Sequence, residues 1–305
     1  MKIKNLLLKD NFTLSFEVFP PKREGNLERL YLTIQQLVTL KPQFISVTYG
    51  AGGSTRDKTV EIASTIKNKV GMDVLAHLTC VQATKEDIAG VLDDLKNENV
   101  ENVLALRGDP PQGEKVFTKA TDGLGYANEL VEFIKAHGDF SIGVAGYPEG
   151  HIESPDLDAD IVNLKRKVDA GADFIITQLF FNNDDFYRFR DRAIAQKIAV
   201  PIIAGIFPIF NYKQIAKMVA LSGAKIPSGF HDKIYRVSDK KEEVEKYGIE
   251  YAIVQSEHLL KNDVSGLHFY CMNKSDHISQ IVRELSLPTQ IMSPLLNNID
   301  YSSDS

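Results

Sequence analysis

No segment of this sequence is apolar for the ~20 residues that a bilayer-crossing helix needs. The N-terminal MKIKNLLLKD carries lysines, but its apolar run at residues 5–8 is too short for a secretion signal. Cysteine is scarce. Cys80 and Cys271 lie far apart and outside any metal-ligand spacing, so no metal site is expected, and they read as buried thiols of a reducing compartment. Basic clusters are missing and the net charge is -6, which argues against a nucleic-acid binder. No Gly-x-Gly-x-x-Gly follows the first strand-like run, which removes the usual dinucleotide fingerprint of an open sheet. What remains is a cytoplasmic, globular composition: 43% hydrophobic and 25% charged over 305 residues, enough for one large domain.

The apolar pattern alternates between two periods. Strand-like runs fall at 12–19, 44–49, 74–80, 102–106, 141–147, 174–181, 201–207 and 266–271. Between them, helical spacing covers 26–40, 57–70, 85–98, 122–137, 158–170, 184–196 and 211–221, with further helices at 251–261 and 278–285. Residues 224–247 are charged and weakly periodic and read as an insertion before the last strand. Strands recurring every ~30 residues with helices between them imply parallel βαβ units, and eight of them favour a closed (β/α)8 barrel in a single domain over residues 1–290. The polar end, 291–305, reads as a disordered tail.

A barrel gathers the C-terminal ends of its strands at one mouth. Asn102–Leu106 ends in Arg107-Gly108-Asp109-Pro110-Pro111, delivering a cation, a bare backbone and a carboxylate. An ordinary solvated strand end with an Arg–Asp pair is the alternative. The other ends contribute Glu17, Thr48 with Tyr49, His77, Tyr147 with His151, Gln178 and Tyr270. Glu17 stands among Phe16, Val18 and Pro20, an apolar setting that would raise its pKa and suit a general acid; an ion pair with a nearby base is the plainer reading. His77 serves as readily in a core as at a ligand. Gln178, inside FIITQLFF, needs a hydrogen-bond partner from protein or ligand. Asp160, Asn163 and Lys167, with Arg166 alongside, share a helix face that is either solvated or a binding surface.

Seven stretches, in order, resemble the short bacterial type of methylenetetrahydrofolate reductase: SFEVFPPK (15–22), SVTYGAGGSTRDKT (46–59), AHLTC (76–80), ALRGDPP (105–111), YPEGH (147–151), NLKRKVDAGADFIITQ (163–178) and HFY (268–270). The resemblance runs to about Leu287, near the end of the barrel, and so implies that the regulatory domain of the long eukaryotic forms is lacking. It implies a barrel holding non-covalent FAD, reduced by NADH or NADPH and reoxidised by 5,10-methylenetetrahydrofolate in a ping-pong cycle. The product, 5-methyltetrahydrofolate, feeds one-carbon metabolism and methionine synthesis. The bacterial relatives imply NADH and a homo-oligomer.

The same resemblance assigns roles. Glu17 becomes the general acid that protonates N10 of the folate. Asp109 lies between flavin and pterin. Thr48, His77, Arg107, Gly108, Asp109, Ala120, Tyr147, His151, Asp160, Asn163, Arg166 and Lys167 fall at FAD-contacting positions, with Tyr49 and Ala51 near the nicotinamide. Gln178, Gln214, Tyr270 and Lys274, together with Asp109, fall at substrate positions. Two departures stand out: Lys274 replaces an arginine fork, and Met218 replaces an aromatic ring. The competing readings are a barrel flavoenzyme acting on another amine, such as proline, and a flavin- or folate-binding subunit without catalysis.

Overall fold

Eight short strands, each running parallel to both neighbours, close on themselves in sequence order, β1 to β8. In this computed structural model they are β1 Thr13–Val18, β2 Phe44–Val47, β3 Val74–Thr79, β4 Asn102–Leu106, β5 Ser141–Gly146, β6 Phe174–Thr177, β7 Ile202–Ile206 and β8 Gly266–Tyr270. The structure describes residues 1–9, 12–21, 26–49, 53–110 and 117–288, with backbone alone at 53–57. The tail expected at 291–305, and Ala51, lie outside these. The helices are α1 Ile3–Lys9, α2 Leu27–Val38, α3 Gly53–Ser64, α4 Lys85–Asn97, α5 Ala127–His137, α6 Leu157–Asp169, α7 Asn183–Ala195, α8 Tyr212–Ser222, α9 Ser228–Tyr235, α10 Lys241–Leu260 and α11 Ser275–Glu284. A π-helical turn, Thr65–Lys69, continues α3. The chain is thus a TIM barrel, as the strand count predicts.

Local chemistry sets the ends of these helices. Thr84 and Asp87 form a reciprocal capping box on α4, whose buried side carries Ile88, Val91, Leu92 and Leu95. Asp156, Asn182 and Asn211 cap α6, α7 and α8 through their side chains. Strand alternation then sorts β1: Leu14, Phe16 and Val18 join the outer core under the helices. Ser15 and Glu17 turn into the barrel.

The lower barrel interior is apolar, built from Phe44, Leu75, Leu104, Phe174, Ile176 and Ile203, and α1 plugs it with Ile3. Residues 5–8 alone do not predict this plug, because one apolar turn carries no periodicity of its own. Asn102 anchors it: its side-chain oxygen accepts from the Ile3 N–H at 2.7 Å. Its amide donates to Val74 O at 3.1 Å and to Met1 O at 3.3 Å. Around these, the N-terminal amine pairs with Asp73 and Lys2 with Asp139.

The region read as an insertion before the last strand holds α9 and the first turns of α10. Helix α10 begins ten residues before the expected helix at 251. Its buried positions include Gly248, Ala252, Gln255 and Ser256, so burial there carries little hydrophobic signal. Gly248 is required: a Cβ would stand 1.8 Å from Ile209 O. The run at 174–181 is also shorter as a strand than expected. It ends at Thr177, and Leu179 and Phe181 leave the barrel wall for a second apolar cluster with Phe207, Phe230 and Ile234.

Asn102→Ala leaves the buried Ile3 N–H without its acceptor and removes the amide's bonds to Val74 O and Met1 O. It should lower unfolding stability by about 1–3 kcal/mol, read as a lower urea midpoint at unchanged slope.

Candidate active site

The barrel mouth opens into a cavity of about 450 Å³ lined by residues of every strand or its following loop. That size falls in the small-molecule range of about 300–1,000 Å³. Twelve of the residues singled out in the sequence line it: Glu17, Thr48, Tyr49, His77, Arg107, Gly108, Asp109, Tyr147, His151, Gln178, Met218 and Tyr270.

Glu17 projects from β1 beside two imidazoles. Its Oε2 is 3.6 Å from His77 Nε2 and 3.8 Å from His268 Nε2. The apolar setting expected from its neighbours in sequence is therefore not the one it has, because Phe16 and Val18 point to the opposite face of the strand. Among the described residues, His77 Nε2 has no hydrogen-bond partner, and neither has Thr79 Oγ1, two residues further along the same face of β3. Burial pushes His77 down to about 4, with Glu17 acting upward and His268 downward, so the ring is neutral near pH 7.

Arg107 has a partner, but not the neighbouring Asp109. Its guanidinium forks onto both carboxylate oxygens of Glu153, with Nη2–Oε1 at 2.9 Å, and lies 5.0 Å over the Phe117 ring. The hydrogen bond with Glu153 holds the Arg107 pKa above its ordinary value. Glu153 is tied back in turn, its N–H donating to His151 Nδ1 at 3.1 Å. Gly108 sits at φ +89, and a Cβ there would meet Val81 at 2.6 Å. Asp109, on the next residue, is exposed at the rim. Across the cavity the Tyr270 hydroxyl donates to Thr177 O at 2.7 Å, passing over Gly205, where a Cβ would stand 2.9 Å from the Tyr270 ring.

The α6 face divides in two. Lys167 Nζ donates to Ala145 O at 2.6 Å and lies 5.6 Å from the Tyr147 ring centre. Burial pulls its pKa to about 8, against an opposing pull from Asp160. Asp160 is buried and accepts from Ser154 Oγ at 3.0 Å. Asn163 and Arg166 bond each other at 3.0 Å on the open side. None of these four lines the cavity, although Ala145 and Tyr147, which Lys167 touches, do. Ala120, half-buried in the loop before α5, lies outside the lining, as do Gln214 and Lys274. Gln214 is in the first turn of α8, one turn before Met218, which does line it. Lys274 is exposed at the start of α11.

Sequence reasoning missed His268, Thr79, Leu106, Phe207 and Met272 among the lining residues. Parity would have found two of them: His268 is two residues before Tyr270, and Thr79 two after His77, so each shares the inward face.

Fold and site together define a (β/α)8 barrel with a cavity of small-molecule size at its mouth, with an acid and a neutral histidine on the cavity wall. The sequence matches the family described as methylenetetrahydrofolate reductase over residues 2–286. It is 38% identical over 269 residues to the 5,10-methylenetetrahydrofolate reductase of Escherichia coli K12, covering 88% of this chain and 89% of that one. It is also 38% identical over 297 residues to methylenetetrahydrofolate reductase (NADH) 1 of Arabidopsis thaliana, covering 94% of this chain but 50% of that one. The chain therefore spans about half the length of the plant relative and most of the bacterial one. Among solved structures, a Clostridium thermocellum protein that binds two copies of 5-methyl-5,6,7,8-tetrahydrofolic acid superposes with a TM-score of 0.63 at 15% identity, covering 93% of this chain and 97% of that one. At that identity the likeness speaks for the fold. The chain belongs to the methylenetetrahydrofolate reductase family.

The depressed His77 pKa has a consequence for stability. Between pH 6.5 and 4 the unfolded chain takes up a proton that the folded chain refuses. The stabilising contribution is full above pH 6.5 and lost as pH falls toward 4, up to about 3 kcal/mol. In urea unfolding across pH 4–7, His77→Gln should lose less stability on acidification than the unsubstituted protein, by that amount.

Proposed function

We propose that this protein reduces 5,10-methylenetetrahydrofolate to 5-methyltetrahydrofolate with FAD as cofactor and NADH or NADPH as donor, the two substrates using one cavity in turn. The observation that carries this reading is Glu17 inside the barrel mouth, facing the unpartnered His77 Nε2 at 3.6 Å. Family membership supports it.

The residues fit a flavin. The unpartnered atoms of His77 and Thr79 offer hydrogen bonds to a planar polar ring system, and Gly108 leaves its backbone open to close approach. Thr48, Tyr49, His77, Arg107, Gly108, Tyr147 and His151 would hold the cofactor from the cavity, and Ala120, Asp160, Asn163, Arg166 and Lys167 from beside it. Arg107 and Lys167 supply positive charge for phosphate. Bound FAD supplies the hydride acceptor and donor.

The chain supplies the proton. Glu17 would give its carboxyl proton to N10 of the folate, opening the five-membered ring to the iminium ion that accepts hydride. Asp109 at the rim and Gln178 on the wall would orient the pterin. The Gln178 side-chain oxygen accepts from Leu179 N–H at 2.9 Å, which fixes its carboxamide against the wall. Gln214, Met218, Tyr270 and Lys274 would meet the rest of the folate. Lys274 is exposed and mobile-stemmed, a point charge suited to a solvated carboxylate.

Purified protein should carry FAD that denaturation releases and chromatography identifies; FMN, or no flavin after reconstitution, would overturn the cofactor assignment. Glu17→Gln keeps the volume but has no acidic proton. Stopped-flow reduction by NADH should stay near the unsubstituted rate, while reoxidation by methylenetetrahydrofolate should slow by about 100-fold or more. Equal slowing of both half-reactions would place Glu17 in support of the flavin site instead.

A further inference from the structure

Below Glu17, toward the plugged end of the barrel, lies a polar layer with no part in the reaction as described so far. Ser15 is fully buried and His268 is 1% exposed. They are register partners on β1 and β8, with Ser15 Oγ 2.8 Å from His268 Nδ1. On the other side of the ring, Nε2 lies 3.4 Å from Ser46 Oγ and 3.8 Å from Glu17 Oε2. The ring is clamped, stacked on Phe44 at 6.1 Å and 22° and edge-on to Tyr270 at 5.5 Å and 87°.

We infer that His268 is a positioning residue for Glu17: fixed by Ser15 as its Nε2–H tautomer, it aims that N–H at the carboxylate and stabilises the charge that appears there when the proton leaves. This rests on the reading of Glu17 as the proton donor. The tautomer follows from the Ser15 hydroxyl. Its alternative acceptor, Leu267 O, is at 3.5 Å, the limit of a hydrogen bond, so the short contact to Nδ1 takes the proton. A neutral ring that accepts at Nδ1 carries its hydrogen on Nε2. That N–H has two acceptors within reach, Ser46 Oγ and Glu17 Oε2.

While Glu17 holds its proton, the N–H rests on Ser46. When the O–H bond of Glu17 breaks and the N–H bond on the folate forms, the new carboxylate charge attracts the His268 N–H. Closing 3.8 Å to a hydrogen bond takes a shift of about 1 Å. His268 keeps its proton throughout and changes only its acceptor. A donor already aimed where charge develops assists the step without reorganising at that moment. The other groups facing Glu17 bring no compensating charge, since burial keeps His77 on β3 neutral and holds the Tyr270 hydroxyl of β8 protonated.

Ser, His and Glu are also the residue types of a hydrolytic triad. That arrangement does not apply, because Ser15 is sealed below the imidazole and does not line the cavity. The serine orients the histidine, and the carboxyl group is the one that meets substrate.

The test pairs His268→Leu, which removes the N–H, with His268→Gln, which restores a donor near Nε2. Both should retain FAD and be reduced by NADH within about twofold of the unsubstituted rate. His268→Leu should slow the saturating rate of reoxidation by methylenetetrahydrofolate by at least about tenfold, and His268→Gln should recover most of it. Independently of turnover, ¹⁵N-histidine NMR of the purified protein should show the signal missing from His268→Leu as an Nε2–H tautomer, with that preference lost in Ser15→Ala. Equal slowing of both half-reactions, loss of flavin, or an Nδ1–H tautomer would overturn the inference. If the unsubstituted protein is not reoxidised by the folate, the functional reading fails, while the NMR result still judges the geometry.

Discussion

Closing eight parallel strands into a cylinder forces every second side chain inside, where there is little room and little water. The lower half of this barrel meets that constraint with Phe44, Leu75, Leu104, Phe174 and Ile203. The upper half meets it with polar groups that satisfy one another in layers. Ser15 holds His268, His268 and His77 flank Glu17, and Tyr270 reaches across Gly205 to Thr177 O. Polar groups left unpaired in such a place are costly, and among the described residues those on His77 and Thr79 remain, both residues lining the cavity.

Electrostatics at the mouth follow the same economy. Arg107 is matched by Glu153 and stacked on Phe117, so the rim carries a guanidinium whose orientation is set before any ligand arrives. Lys167 reaches in from the helix layer, its amine on a strand carbonyl and near the Tyr147 ring. Neither side chain has to be found by the ligand in a disordered state, which reduces the ordering that binding would otherwise require.

The barrel itself was legible in the sequence, because most apolar runs are cut off by Gly, Pro or a charged residue and most helices have a periodic face. The strand-end residues were legible for the same reason, and most of them do converge. The errors arose where the informative unit is a face rather than a run. Phe16 and Val18 adjoin Glu17 in sequence but lie across the sheet from it. His268 went unremarked although it shares the face of Tyr270. Helix α10 hides its burial behind Gly248, Ala252 and Ser256, and α1 is a single apolar turn whose purpose depends on a barrel floor that only the assembled fold supplies.

That floor has a consequence for traffic. With Ile3 seated among Phe44, Leu75 and Phe174, the barrel formed by the described residues is closed at its lower end, like a cup. A molecule entering past Asp109 and Gln178 would leave by the same mouth. Under the proposed reading, two substrates sharing that mouth would take turns, a constraint set in part by seven residues of helix at the far end of the barrel.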